Sequence, residues 1–225
     1  MRIFILACLS SLLIGCTPTL TKFEFAPEMF KETPQSILVL PPINKSTAAD
    51  AKDYYMTTVA EPLTNTGYYV FPVEMVTDIL KQEGLSDTET ILSAPPQKFR
   101  DFFGADAVLY VTIHKWNTTY AITAGNVKVL IEAEIISTKS GRALWYYYDE
   151  VTVNTSGDSG NQGGLAGLLI QAATTAIKTA TTDYVPVARM VNEKLFTAIP
   201  YGRRHGEYKQ DMMKRIELRK KTDKK

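Results

Sequence analysis

The chain has 225 residues, enough for one domain with a full core plus extensions, and it carries only two cysteines and two histidines. That inventory argues against a disulfide scaffold, a thiolate metal centre or a histidine-built metal site, and no cofactor is expected. The formal charge of +1 hides an asymmetry: residues 16–202 hold 14 Lys+Arg against 20 Asp+Glu, whereas residues 203–225 hold 10 against 4. An acidic body is followed by a basic tail.

The first apolar run, Ile3 to Ile14, has twelve residues including two serines. A bilayer-spanning helix needs roughly 20. Arg2, the short apolar core and the small Gly15 are instead the anatomy of a secretory signal. Leu13-Ile14-Gly15-Cys16 resembles the lipobox of bacterial lipoproteins. The resemblance implies cleavage between Gly15 and Cys16, diacylglycerol on the Cys16 sulfur and acylation of the freed amine. Several acyl chains of the palmitate class on one residue anchor a protein stably to a membrane. Thr17, where an Asp would retain an enterobacterial lipoprotein in the inner membrane, implies the outer membrane, with the protein facing the periplasm. Cys8 leaves with the signal, so no disulfide forms within the mature chain.

Residues 17–35 contain three prolines and no period, and read as a tether; Phe23, Phe25 and Phe30 mark parts able to dock. Ile37 to Leu40 is a continuous apolar run, predicting a strand buried on both faces. Ser46 or Thr47 is placed to cap a helix over 49–66, kinked by Pro62. Residues 68–72 predict a short strand. A helix follows over 73–83 with Met75, Val76, Ile79 and Leu80 inward, and another over 96–103 closed by Gly104. "ADAVLYVTIHKW" predicts a central strand. "NVKVLIEAEII" alternates cleanly, with Val127, Val129, Ile131, Ala133 and Ile135 on one face. Residues 138–141 turn it into "RALWYYYDEVTV". After a glycine-rich loop, helices are predicted over 165–181 and 185–198. The expected class is α/β, a mixed sheet with an antiparallel meander packed against helices. Four segments follow: a signal over 1–15, the lipid anchor and tether over 16–35, the domain over 36–202 and the basic tail over 203–225.

In layout, "VLPPINKS", "GYYVFPVE" and "GADAVLY" leading into a hairpin resemble the N-terminal domain of TolB and the curli-secretion lipoprotein. With "IPYGRRHGEY" they resemble a family of lipoproteins that includes a genome-derived Neisseria antigen, over about residues 36–208. The resemblance implies no catalytic residues, because that family has no catalytic signature.

Three motifs tempt an enzymatic or membrane reading. "GDSG", Gly157 to Gly160, matches the nucleophile loop of trypsin-like proteases, but Ser159 would need a base and an orienting acid, and only His114 precedes it. The glycine-rich loop lacks both phosphate-binding signatures. The predicted helix over 165–181 is amphipathic and too polar to span a bilayer. More telling is "WYYYDE": Trp145 and Tyr147 share one strand face, Tyr146 and Tyr148 the other, and one pair should be core while the other forms an exposed aromatic patch. Asp149 and Glu150 fall on opposite faces and form no glycosidase pair. In the basic tail, Arg203, Arg204, Lys214 and Arg215 are candidate contacts, and Tyr208, Met212 and Ile216 fall at helical spacing.

The expectation is a non-enzymatic, lipid-anchored outer-membrane lipoprotein acting as an interaction or scaffold subunit of an envelope assembly or export complex. It would contact the membrane through Cys16 and pair with further copies or other envelope lipoproteins. The surfaces expected to serve are the Trp145–Tyr148 strand, the loop over 154–164 and the tail, whose charge also suits anionic lipid or glycan. The competing reading is a glycan- or peptidoglycan-binding module using the same aromatic strand. Nucleic acid is excluded by compartment.

Overall fold

The computed structural model describes residues 19–85, 87–120, 125–154 and 184–216. In chain order its elements are β1 (Leu20–Thr21), α1 (Lys22–Phe25), α2 (Pro27–Glu32), β2 (Ser36–Val39), β3 (Ile43–Asn44), α3 (Ala51–Thr58), α4 (Ala60–Asn65), β4 (Tyr69–Val70), α5 (Val73–Gln82), α6 (Thr88–Ser93), α7 (Pro96–Phe103), β5 (Ala107–Tyr120), β6 (Gly125–Ser137), β7 (Ala143–Asn154), α8 (Val185–Phe196) and β8 (Arg215–Ile216). The main sheet has the order β4-β2-β5-β6-β7, with β3 against β5. Strand β2 is parallel to β4 and β5, while β5, β6 and β7 form an antiparallel meander. This is the mixed α/β sheet that the sequence predicts.

Both faces of β2 are covered, which is why Ile37 to Leu40 need not alternate. Ile37 and Val39 join the larger core with Tyr55, Val59 and Leu63 from the α3–α4 region and Val187, Val191 and Leu195 of α8. Leu38 and Leu40 enter a smaller core on the other face, formed with Val76 and Leu80 of α5, Ile91 of α6 and Phe99 of α7. Along β6 all five alternating residues, Val127 to Ile135, are buried. Their opposite neighbours Lys128, Glu132 and Glu134 stay at least partly open to solvent.

Two irregularities shape the meander. Register slips between Ile113 and Lys115, leaving His114 as the extra residue of a bulge. Ile113 and Trp116 therefore both point to the core, and His114 and Lys115 both face away from it. A second shift, opposite Ile135 and Ile136, sends both Leu144 and Trp145 inward.

Several elements differ from expectation. The helix expected over 49–66 is two helices parted at Val59. Pro62 has no N–H to offer Thr58, and the break places it in the first turn of α4, where that donor is not needed. Ser46 closes a turn on Asn44 Oδ1 (Oγ 2.7 Å, N–H 3.0 Å) and does not cap α3, whose N-cap is Asp50. Met75 is 49% exposed, because α5 buries Val73, Val76 and Leu80 along a narrower stripe. Helix α6 was not expected, yet Asp87 caps it by accepting from Thr90 N–H at 2.8 Å. The helix expected over 165–181 lies outside the described residues.

Residues 20–32, expected as tether, are folded onto the domain. Thr21 and Glu24 form a reciprocal capping box at α1, and Met29 of α2 is buried in the larger core. Gly67 and Gly202 lock the next contact. Gly202 N–H donates to Thr66 O at 2.8 Å, and Arg204 N–H to Gly67 O at 3.2 Å. A Cβ on Gly67 (φ +93°) would lie 2.5 Å from His205 N, and one on Gly202 would lie 2.6 Å from Gly67 O. Gly67→Ala should therefore cost at least about 2 kcal/mol, combining backbone strain with overpacking. Gly84→Ala, with φ +82° but nothing within 4 Å, should cost only about 1 kcal/mol. Urea denaturation of the two variants measures the difference.

Candidate functional site

Two arrangements stand out from ordinary packing, and both sit where distant parts of the chain meet. The first is a clasp between the two ends of the described chain. β1 pairs antiparallel with β8, Leu20 opposite Ile216 and Thr21 opposite Arg215. The ladder continues from Lys22 N–H to Lys214 O at 2.9 Å and from Phe23 N–H to Met212 O at 3.1 Å. Behind it the Lys22 ammonium is buried, 3.1 Å from Asp211 Oδ2 and donating to Ile199 O at 2.6 Å. The Tyr201 ring closes over the ammonium at 4.1 Å, and Tyr201 N–H donates to the same Asp211 oxygen at 2.8 Å. Burial holds Lys22 below the usual lysine range, while the bond to Asp211 opposes that shift. Asp211 Oδ1 is buried without a hydrogen-bond partner among the described residues.

The second arrangement lies on the outer face of the meander. The bulge turns His114 onto this face, where its Nε2 lies 2.6 Å from Glu132 Oε2. The Tyr146 hydroxyl donates to Glu132 Oε1 at 3.1 Å, and His114 meets the Tyr148 ring edge-on at 5.7 Å. Glu132 thus holds an imidazole with one oxygen and a phenol with the other. Burial, helped by the Glu132 charge, raises both the Glu134 carboxyl and the Tyr146 hydroxyl above their ordinary values. Tyr146 and Tyr148 remain 47% and 38% exposed. Beside them a shallow depression is bounded by Tyr110, Thr112, Glu132 and Glu134 of the sheet and by Pro95 and Pro96 at the α6–α7 junction. The chemistry available here is recognition: aromatic rims, fixed polar groups and an acidic floor.

The residues expected to make contacts are distributed unevenly. Trp145 and Tyr147 are corrected to core: both are 2% exposed and stack at 5.8 Å, and Trp145 Nε1 donates to Ala198 O at 3.3 Å. Strand parity separates the pairs, and it is the elements packed on β7, α2 with Phe25 as well as α8 and the segment after it, that claim Trp145 and Tyr147 for the inside. Arg203 and Arg204 lie at the Gly67 contact, with the Arg204 guanidinium 5.5 Å from the Tyr69 ring centre. Lys214 and Arg215 belong to the clasp instead. Despite the helical spacing of Tyr208, Met212 and Ile216, the segment forms consecutive turns running into β8, with Lys209 at φ +62°. Gly157 to Gly160 and most of the loop over 154–164 lie outside the described residues. Among the described residues, no group of three or more His, Cys, Asp or Glu is placed to hold a metal ion. Lys22, Asp211 and the His114–Glu132 pair escaped sequence reading, because each pair joins residues far apart in the chain.

Lys22→Met or Asp211→Asn alone leaves one buried polar partner uncompensated and should cost about 3–5 kcal/mol. Lys22→Met combined with Asp211→Leu should recover much of that loss, because both charges go together. Chemical denaturation of the three variants checks the coupling.

A family model for GNA1162-like lipoproteins matches residues 27–203. A lipoprotein of Neisseria meningitidis serogroup B, NMB1124/NMB1162, is 34% identical over 161 residues, covering 71% of this chain and 74% of that protein. The crystal structure of lipoprotein GNA1162 from Neisseria meningitidis superposes with a TM-score of 0.51 at 33% identity, over 64% of this chain and 98% of that one. A remoter likeness, to the PelC dodecamer of Paraburkholderia phytofirmans at 14% identity and TM-score 0.45, covers 83% of this chain and 94% of that one and carries no argument about assembly. Among the described residues no helix is long and apolar enough to cross a membrane. With the family model spanning both the Gly67 contact and the meander, the chain belongs to the GNA1162-like lipoprotein family.

Proposed function

We propose that this chain is a non-enzymatic outer-membrane lipoprotein, cut after Gly15, acylated at Cys16 and facing the periplasm, where it serves as an interaction or scaffold subunit of an envelope assembly or export complex. The family supports the lipoprotein part, and the Leu-Ile-Gly-Cys sequence supplies the acceptor. Because the first described element begins at Leu20, only three residues separate Cys16 from β1, a span of at most about 14 Å from Cys16 to Leu20. A tether of that length keeps the domain at the membrane surface.

The observation that carries the interaction role is the outer face of the meander. Its rings are half exposed yet held by Glu132 and His114, so little rotamer freedom remains to be lost on docking. Pre-ordered tyrosines around fixed polar groups are the composition of an interface centre. The occupant that fits best is a second copy of this chain or another envelope lipoprotein.

Two measurements test this reading. Intact mass of the membrane-extracted wild type should lack residues 1–15 and carry acyl chains, and Cys16→Ser should leave the membrane fraction. Tyr146→Ala with Tyr148→Ala should weaken self-association or partner capture about tenfold or more while thermal stability changes little. An unchanged oligomer mass in that double variant would remove the interface assignment. Tyrosine-dependent binding to purified sacculi would replace it with the glycan-binding reading.

A further inference from the structure

The outer face of the meander holds a carboxylate whose surroundings call for a cation. Register sets out its neighbours. Glu134 of β6 lies directly opposite Tyr110 of β5 on one side and Tyr146 of β7 on the other. The next row along the same face is Thr112, Glu132 and Tyr148. Glu132 has both oxygens engaged, by His114 and by the Tyr146 hydroxyl. Glu134 differs: among the described residues no hydrogen bond or ion pair engages its carboxylate.

The cations of this face start further along. Lys115 is opposite Leu130, and Lys128 is opposite Asn117. The nearer of these rows is four residues from Glu134, about 13 Å along the strand. Lys128 is in any case 3.8 Å from Glu150 and matched by it. Over Glu134 opens a depression of about 450 Å³, walled by Leu92, Pro95 and Pro96, and no described Lys or Arg lines it. A half-buried carboxylate without a counter-charge is costly, and Glu132 two residues away on the same face adds repulsion. A cation arriving here offsets both.

We propose that this depression receives an arginine side chain of the docking partner, its guanidinium on the Glu134 carboxylate between the Tyr110 and Tyr146 rings. The inference rests on the reading of this face as an interaction surface, and it names what that surface takes. Guanidinium suits the place better than an ammonium. It is planar, weakly hydrated, stacks on aromatic faces and offers parallel N–H donors to a carboxylate. Leu92, Pro95 and Pro96 supply an apolar wall for its methylene stem. A neutral or acidic segment seated here would instead leave Glu134 covered and unpaired.

A peptide titration tests the proposal. The probe is a blocked pentapeptide, glycine-leucine-arginine-leucine-glycine, with twins carrying citrulline or lysine in place of arginine. Each is titrated into the full mature chain carrying Cys16→Ser and followed by NMR. The arginine peptide should bind about tenfold or more tightly than the citrulline twin. Glu134→Gln should remove that preference with thermal unfolding unchanged, while Asp78→Asn, at an exposed acid of α5, should leave it intact. Equal binding of either twin, or a preference that survives Glu134→Gln, would overturn the proposal. Failure of the interaction reading shows separately. If Tyr146→Ala with Tyr148→Ala weakens assembly and Glu134→Gln does not, the interface stands and the arginine assignment falls. An assembly that neither variant weakens removes both.

Discussion

The buried Lys22–Asp211 pair is the constraint on which the rest of the arrangement turns. An ammonium and a carboxylate this deep cost several kcal/mol each to desolvate, and their attraction offsets that cost only when the surrounding groups are placed well. Ile199 O, Tyr201 N–H and the Tyr201 ring meet that condition here. Every one of these groups comes from the segment after α8, so the pair forms only when both ends of the chain have reached their final positions. A hydrophobic substitute would hold the same surfaces together, but it would not specify the register. Charge and geometry together admit one alignment of β1 on β8.

That alignment fixes Thr21 against Arg215 and Leu20 against Ile216, so the two ends of the described chain meet side by side. The outer face of the meander belongs to a different set of elements, β5 to β7, and is ordered by a different device, the bulge at His114. The clasp and the outer face of the meander are thus built on separate parts of the fold. Substitutions in one should leave the other intact.

Much of the architecture was legible in the sequence because its signals are local. The unbroken Ile37 to Leu40 run announced a doubly covered strand, and the alternation in β6 announced a strand with one buried face. Turn chemistry at residues 138–141 announced the hairpin. What escaped was set by tertiary contact. Lys22 reads as a tether lysine, and Asp211 as one acid in a basic tail, until β1 meets β8. His114 reads as one polar residue in an apolar strand, because a bulge leaves no mark in periodicity. For "WYYYDE" the alternation separated two pairs but could not say which faced inward; that is decided by α2 and Phe25 from far earlier in the chain and by α8 and the residues after it from about forty residues further along.

The β1–β8 clasp is tested most directly by joining it covalently. Leu20→Cys with Ile216→Cys, in the mature chain carrying Cys16→Ser, places two thiols at directly opposed positions of an antiparallel pair, within the Cα separation a disulfide accepts. Mild oxidation followed by non-reducing electrophoresis and intact mass should show nearly complete cross-linking within the monomer, and the cross-link should fall sharply when Lys22→Met is added. Thiols that stay free, or that join only between chains, would contradict the clasp and with it the placement of both ends at one corner.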